Sequence, residues 1–203
     1  VPTPFQVKAM PRKPSPVSTP DEILTSEFKY IANTAFQANE DRARATSFYL
    51  VTFGSFIAAL VSAQLELAPG QEAWLDWGFS GLFVALGLMG LVTVLELARL
   101  RASWFESVEA MNAIKEYYIA RYPDLAEAIT WRTKSDAMPG RLKLTSVGFL
   151  MALQVAFLGG AALGAGVFFL VKAISGGAWF LPGIVSGVAY FLTLLEGYRL
   201  TLK

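Results

Sequence analysis

Of 203 residues, 54% are hydrophobic and only 16% are charged, well under the roughly 25% charged of an average soluble domain. Seventeen lysines and arginines against 16 acids leave a net charge of +1, and the basic residues of the central segment are interleaved with acids, which gives nucleic-acid binding little support. Cysteine and histidine are both absent, which removes the usual ligands of iron–sulfur, zinc and haem centres and excludes Cys–His and Ser–His catalysis.

Residues 1–19 are expected to form a disordered leader, because six prolines fall within the first 20 positions and favour extended chain. The leader has no short basic region followed by an apolar core, so it does not match a signal peptide. Thr19-Pro20-Asp21-Glu22 then predicts a helix start, with Thr as N-cap, Pro at the first helical position and Glu completing a capping box. Leu24, Phe28, Ile31 and Ala35 follow at helical spacing and give this segment an apolar stripe. No Pro or Gly interrupts residues 21–53, so the helix can continue into the membrane.

Four runs, at about 45–65, 77–95, 145–171 and 178–195, contain no acidic or basic residue. Each is long enough to cross a hydrocarbon core about 30 Å thick at 1.5 Å per residue. Pro182 lies in the first turn of the fourth, where a missing N–H is tolerated. Between the second and third runs, Leu100, Trp104, Val108, Met111, Ile114, Tyr118 and Tyr122 make a second amphipathic stripe, which Pro123 ends. The expected fold is therefore all-α and polytopic: four transmembrane helices plus amphipathic cytoplasmic helices.

Basic residues sort by segment. Lys8, Arg12, Lys13, Lys29, Arg42 and Arg44 precede the first span, and eight more lie between 96 and 144. The first connection has only acids, and the third has the lone Lys172. By the positive-inside rule both termini and the 96–144 segment face the cytoplasm, in what is expected to be a bacterial inner membrane. Trp74, Trp77, Trp179 and Phe180 then fall at the outer boundary, as amphipathic rings do.

The chain also nearly repeats itself. LVTVLELARL at 91–100 returns as FLTLLEGYRL at 191–200, and RARATS at 42–47 as RLKLTS at 141–146. This predicts two tandem parallel two-span repeats related by a pseudo-twofold axis along the membrane normal. The corresponding division is 1–19 leader, 20–98 first repeat, 99–140 cytoplasmic helical segment and 141–203 second hairpin.

Candidate site residues follow from this layout. Glu96 with Arg99 and Glu196 with Arg199 are i, i+3 pairs at matching span ends, able to bind a cation, relay protons or fix the interface. Gln154, about mid-span, needs an interhelical partner such as Ser55, Ser62 or Ser186. Gly160 with Gly164, and Gly183 with Gly187, are small-xxx-small pairs suited to close helix packing. The stripe Trp104, Val108, Met111, Ile114, Tyr118 and Tyr122 can pack on the first cytoplasmic helix and dock a partner.

Without catalytic, metal or cofactor motifs, the expected role is non-catalytic: an accessory or scaffold subunit of a larger membrane complex, or a homo-oligomer. Its partners would be the lipid bilayer and other membrane subunits or copies of itself, with no nucleic acid. The alternative is a small ion channel or transporter with a pathway on the repeat axis. Its layout of cytoplasmic helix, two spans and cytoplasmic helix is similar to that of two-span pore-forming effectors of bacterial defence systems, in layout alone and with no shared motif.

Overall fold

The structure, a computed structural model, describes residues 19–65, 72–129 and 142–202. The proline-rich leader up to Ser18, Glu66, Trp131, Arg132, Lys134 and Arg141 lie outside the described residues. The described elements are all helical: α1 (Pro20–Leu65), α2 (Glu72–Arg121), α3 (Val147–Ser175) and α4 (Phe180–Thr201), with a single 3-10 turn at Pro123–Ala126. All four α-helices are long and apolar enough to cross a membrane.

The helix ends follow local chemistry. The amide of Glu22 donates to the Thr19 hydroxyl at 3.3 Å, and the Thr19 amide donates to the Glu22 carboxylate at 2.9 Å. These are the two reciprocal bonds of a capping box. α2 ends at Arg121, two residues before Pro123. The Ser146 hydroxyl caps α3 by accepting from the Phe149 amide at 3.2 Å. At its other end, Gly176 closes α3 with φ 67°, a left-handed conformation that glycine enters without steric cost.

α1 and α2 are longer than any membrane requires, at 46 and 50 residues. At 1.5 Å per residue, the parts outside the apolar runs extend each helix by roughly 38 Å. The two extensions run antiparallel as one arm. The Tyr118 hydroxyl donates to the Asp21 carboxylate at 3.5 Å, and Leu24 and Phe28 face Ile114 and Tyr118 across a groove of about 380 Å³. The division expected at 98/99 therefore falls inside an unbroken helix. Hydropathy changes at Glu96, where the apolar run ends. The backbone has no reason to stop, since 96–121 contains neither Pro nor Gly.

α2 is the hub of the bundle, packing on α1, α3 and α4, whereas among the described residues α1 and α4 do not meet. A twofold exchanging α1 with α3 and α2 with α4 would turn the extensive α2–α3 contact into an α4–α1 contact. The helix packing lacks that symmetry. The two halves of the sequence repeat also differ in fate. Residues 91–100 and 191–200 are both helical and share a bond, with Thr93 Oγ1 donating to Met89 O and Thr193 Oγ1 to Ala189 O, each at 2.9 Å. Residues 42–47 lie inside α1, but their counterparts 142–146 form the turn before α3.

The core is built where backbones approach. A Cβ added at Gly90 would lie 3.1 Å from Gly159 Cα, so α2 and α3 cross with almost nothing between them. Tyr49, Val94, Leu97, Ala152, Val155 and Leu194 fill the space on one side of that crossing. Leu60, Phe83, Leu86 and Ala162 fill the other.

Candidate functional site

Arg42, Arg101, Gly148 and Tyr198, from four different helices, converge at one end of the bundle, called here the basic end. The face of α1 that carries Leu24, Phe28, Ile31 and Ala35 continues through Ala38, Arg42, Thr46 and Tyr49, so helical phase turns Arg42 inward. Arg42 is 6% exposed and Arg101 is 5%. Both guanidinium groups lie against the Trp104 indole, 6.0 and 4.6 Å from its ring centroid. Arg42 Nε donates to Ala38 O at 3.4 Å, and Nη2 donates to Asn39 Oδ1. Burial first, and then the Arg101 charge, push the Arg42 pKa below its ordinary value. Burial likewise lowers that of Arg101. Gly148 makes room for the pair: a Cβ there would lie 2.5 Å from Arg42 Nη1 and 3.9 Å from Arg101 Cδ.

This group was not among the residues singled out from sequence. Arg42 read there as one of the basic residues before the first span, Arg101 as one of the eight in the 96–144 segment, and Trp104 as a member of a docking stripe. The signal that could have found Arg42 is the phase of its own helix, which continues the apolar stripe through it.

The sequence-predicted carboxylates do not come together at this end. Glu196 and Arg199 pair at 3.5 Å, both about half exposed. Glu96 and Arg99 are also exposed, but among the described residues they do not pair. The two ends thus lack the matched pairing that the repeat predicted. Exposed charged heads solvate separately with little penalty, so spacing alone does not force a bond.

Gln154 lies on the exposed face of α3 and, among the described residues, makes no hydrogen bond. The interhelical partner expected for it is absent. Ser62 Oγ donates to Ala58 O and Ser186 Oγ to Gly183 O, each within its own helix. Phase is the reason: Ala152 and Ala156, on the packed face, are each about 200° around the helix from position 154. Interhelical bonds come from other residues. Tyr190 donates to Gly87 O at 3.0 Å, Tyr49 to Leu86 O at 3.4 Å, and Ser80 to Gly166 O at 2.9 Å.

The glycine pairs meet each other. A Cβ on Gly160 would lie 2.8 Å from Gly187 O, and one on Gly164 would lie 2.7 Å from Gly183 O. α3 and α4 therefore touch backbone to backbone. In the docking stripe, Val108 is buried, Trp104, Met111, Ile114 and Tyr118 are half-buried against α1 or its surroundings, and Tyr122 is exposed. At the end opposite the basic one, Lys172 Nζ meets the buried Asp76 carboxylate at 3.0 Å and ties α3 to the start of α2. Trp74, Trp77, Trp179 and Phe180 stand exposed around that same end.

Among the described residues, no group of three or more His, Cys, Asp or Glu side chains could hold a metal ion. The arrangement is that of a four-helix, glycine-packed bundle with a buried arginine pair at one end and a buried ion pair at the other. No family model, no curated protein and no solved structure matches this chain.

Proposed function

We propose that this chain is a non-catalytic integral membrane protein acting as an accessory or scaffold subunit of a larger complex, or as a homo-oligomer, with its arm on the cytoplasmic side. The observation that supports this reading most is the way the bundle is closed. α2, α3 and α4 approach through glycine and alanine, leaving solid packing where a conduit would run. α1 and α4, which a ring around a central path would bring together, do not meet among the described residues. Glu96 and Glu196 sit on exposed flanks, which suits interfacial anchoring better than a shared mouth.

What the bundle does offer is surface. The spans of α1 and α4 are the least covered of the four, and the arm extends roughly 38 Å past them. Orientation rests on the positive-inside distribution, supported by the tryptophans at the opposite end.

Native mass spectrometry of the protein extracted with its neighbours tests the reading. It predicts a stable species heavier than one chain. A protein that is monomeric in native lipid and co-purifies with nothing would remove the proposal. The channel reading predicts ion flux through liposomes that disappears in the Glu96→Gln, Glu196→Gln double variant.

A further inference from the structure

Gln154 is left unsatisfied by the fold of a single chain. It stands nine residues past Thr145, where the third apolar run opens, which is about 14 Å into a hydrocarbon core about 30 Å thick. Its amide carries two donors and an acceptor and, among the described residues, bonds to nothing. Hydroxyls on the exposed faces of the spans turn back on their own helix, as Ser62 does on Ala58 O and Thr193 on Ala189 O. A glutamine amide has no such return, and lipid tails offer it nothing.

The amide is also centred in a pattern. Val147, Leu150, Gln154, Phe157 and Ala161 are all exposed and follow one another at spacings of three, four, three and four. They lie within about 80° around α3, opposite Ala152, Ala156 and Gly159, which pack into the bundle. This is the 3.5-residue repeat of a left-handed two-helix seam, about 21 Å long, and a single polar residue within such a seam fixes its register. Beside Phe157 and Ala161 the seam opens into a groove of about 600 Å³ between α3 and α4, lined also by Gly164, Ile184 and Val188. The small residues there leave room for apolar side chains of another helix.

We propose that this face of α3 is a homodimer interface, in which Gln154 pairs with Gln154 of a second copy across a twofold axis along the membrane normal. The amide is self-complementary, since its oxygen accepts what its nitrogen donates. All copies insert with the same orientation, so their α3 helices run parallel and their Gln154 side chains stand at one depth. A twofold therefore satisfies both amides at once and needs no residue that this chain lacks. The inference rests on the reading of the chain as part of a multi-chain assembly, and it chooses the homo-oligomer from the two forms of that reading.

The test uses the full chain in liposomes at high lipid excess. The chain has no cysteine, so one introduced thiol reports one contact. Leu150→Cys, on the seam four residues before Gln154, should give a disulfide-linked dimer on oxidation. Val92→Cys, exposed on α2 near the same end of the bundle, should not. Fluorescence transfer between labelled copies then gives the dissociation constant as lipid dilutes the protein. Gln154→Leu should raise that constant roughly tenfold, the worth of the lost amide pair. The substitution leaves the fold of one chain alone: in micelles dilute enough to separate the copies, Gln154→Leu unfolds as the wild type does.

The proposal is overturned if wild-type copies stay apart in liposomes, if Gln154→Leu associates as tightly as the wild type, or if Leu150→Cys cross-links no better than Val92→Cys. A wild type that stays single in liposomes but is held by other subunits in a native extract overturns this interface and leaves the subunit reading standing. A chain that is single in both removes both.

Discussion

Replacing Gly164 with Ala places one methyl in the seam between α3 and α4. The new Cβ would lie 2.7 Å from Gly183 O and 3.3 Å from Gly187 Cα, where ordinary contact begins near 3.4 Å. Both neighbours are backbone, so no rotamer change relieves the overlap. One helix must retreat by about 0.7 Å, which opens the contacts on either side, and overpacking of this kind costs about 1–3 kcal/mol. Gly197, on α4, is the matched control, since a Cβ there meets nothing within 4 Å. Gly197→Ala should be neutral or up to about 1 kcal/mol more stable, because alanine is the better helix former. Reversible unfolding in mixed micelles, followed by far-UV circular dichroism, measures both. Equal stability of the two variants would refute the reasoning, because it would mean that the seam is not a backbone contact.

Tyr190→Phe removes the hydroxyl that α4 donates to Gly87 O of α2, and should cost about 1 kcal/mol in the same assay. Asp76→Asn, Lys172→Met and the double variant form a cycle. Because Lys172 is about a third exposed, the coupling energy should be modest, near 1 kcal/mol, and a value of zero would show that the ion pair does not hold α3 to α2. Gln154→Leu should leave stability unchanged or raise it slightly, since the amide faces outward without a partner among the described residues. A loss above about 1 kcal/mol, the usual worth of an interhelical bond, would show that it has one.

Local signals in the sequence carried furthest. The capping box at Thr19 and Glu22 involves four adjacent residues and needs no knowledge of tertiary structure, and both its bonds form. The four spans were legible for the same reason, because hydropathy over a window of that length reflects a solvent rather than a neighbour. What was missed depended on phase or on distant packing. Arg42 looked like one more boundary charge until its register with Ala35, Ala38 and Tyr49 turned it inward. Gln154 was read from its depth, yet depth does not say which way a side chain points. The RARATS and RLKLTS segments match in residue type, and each directly precedes or opens an apolar run. RARATS is mid-helix in α1, whereas the described part of RLKLTS, residues 142–146, is the turn before α3.

The absence of any joint between span and arm gives α1 and α2 a mechanical property. Each is one continuous rod from the apolar layer to the tip of the arm, and the two rods are strapped together at Tyr118 and Asp21. A tilt of about 10° within the spans carries the Arg121 end sideways by roughly 7 Å, at 1.5 Å of rod per residue. A change in the tilt of the spans is thereby magnified in the position of the arm's tip.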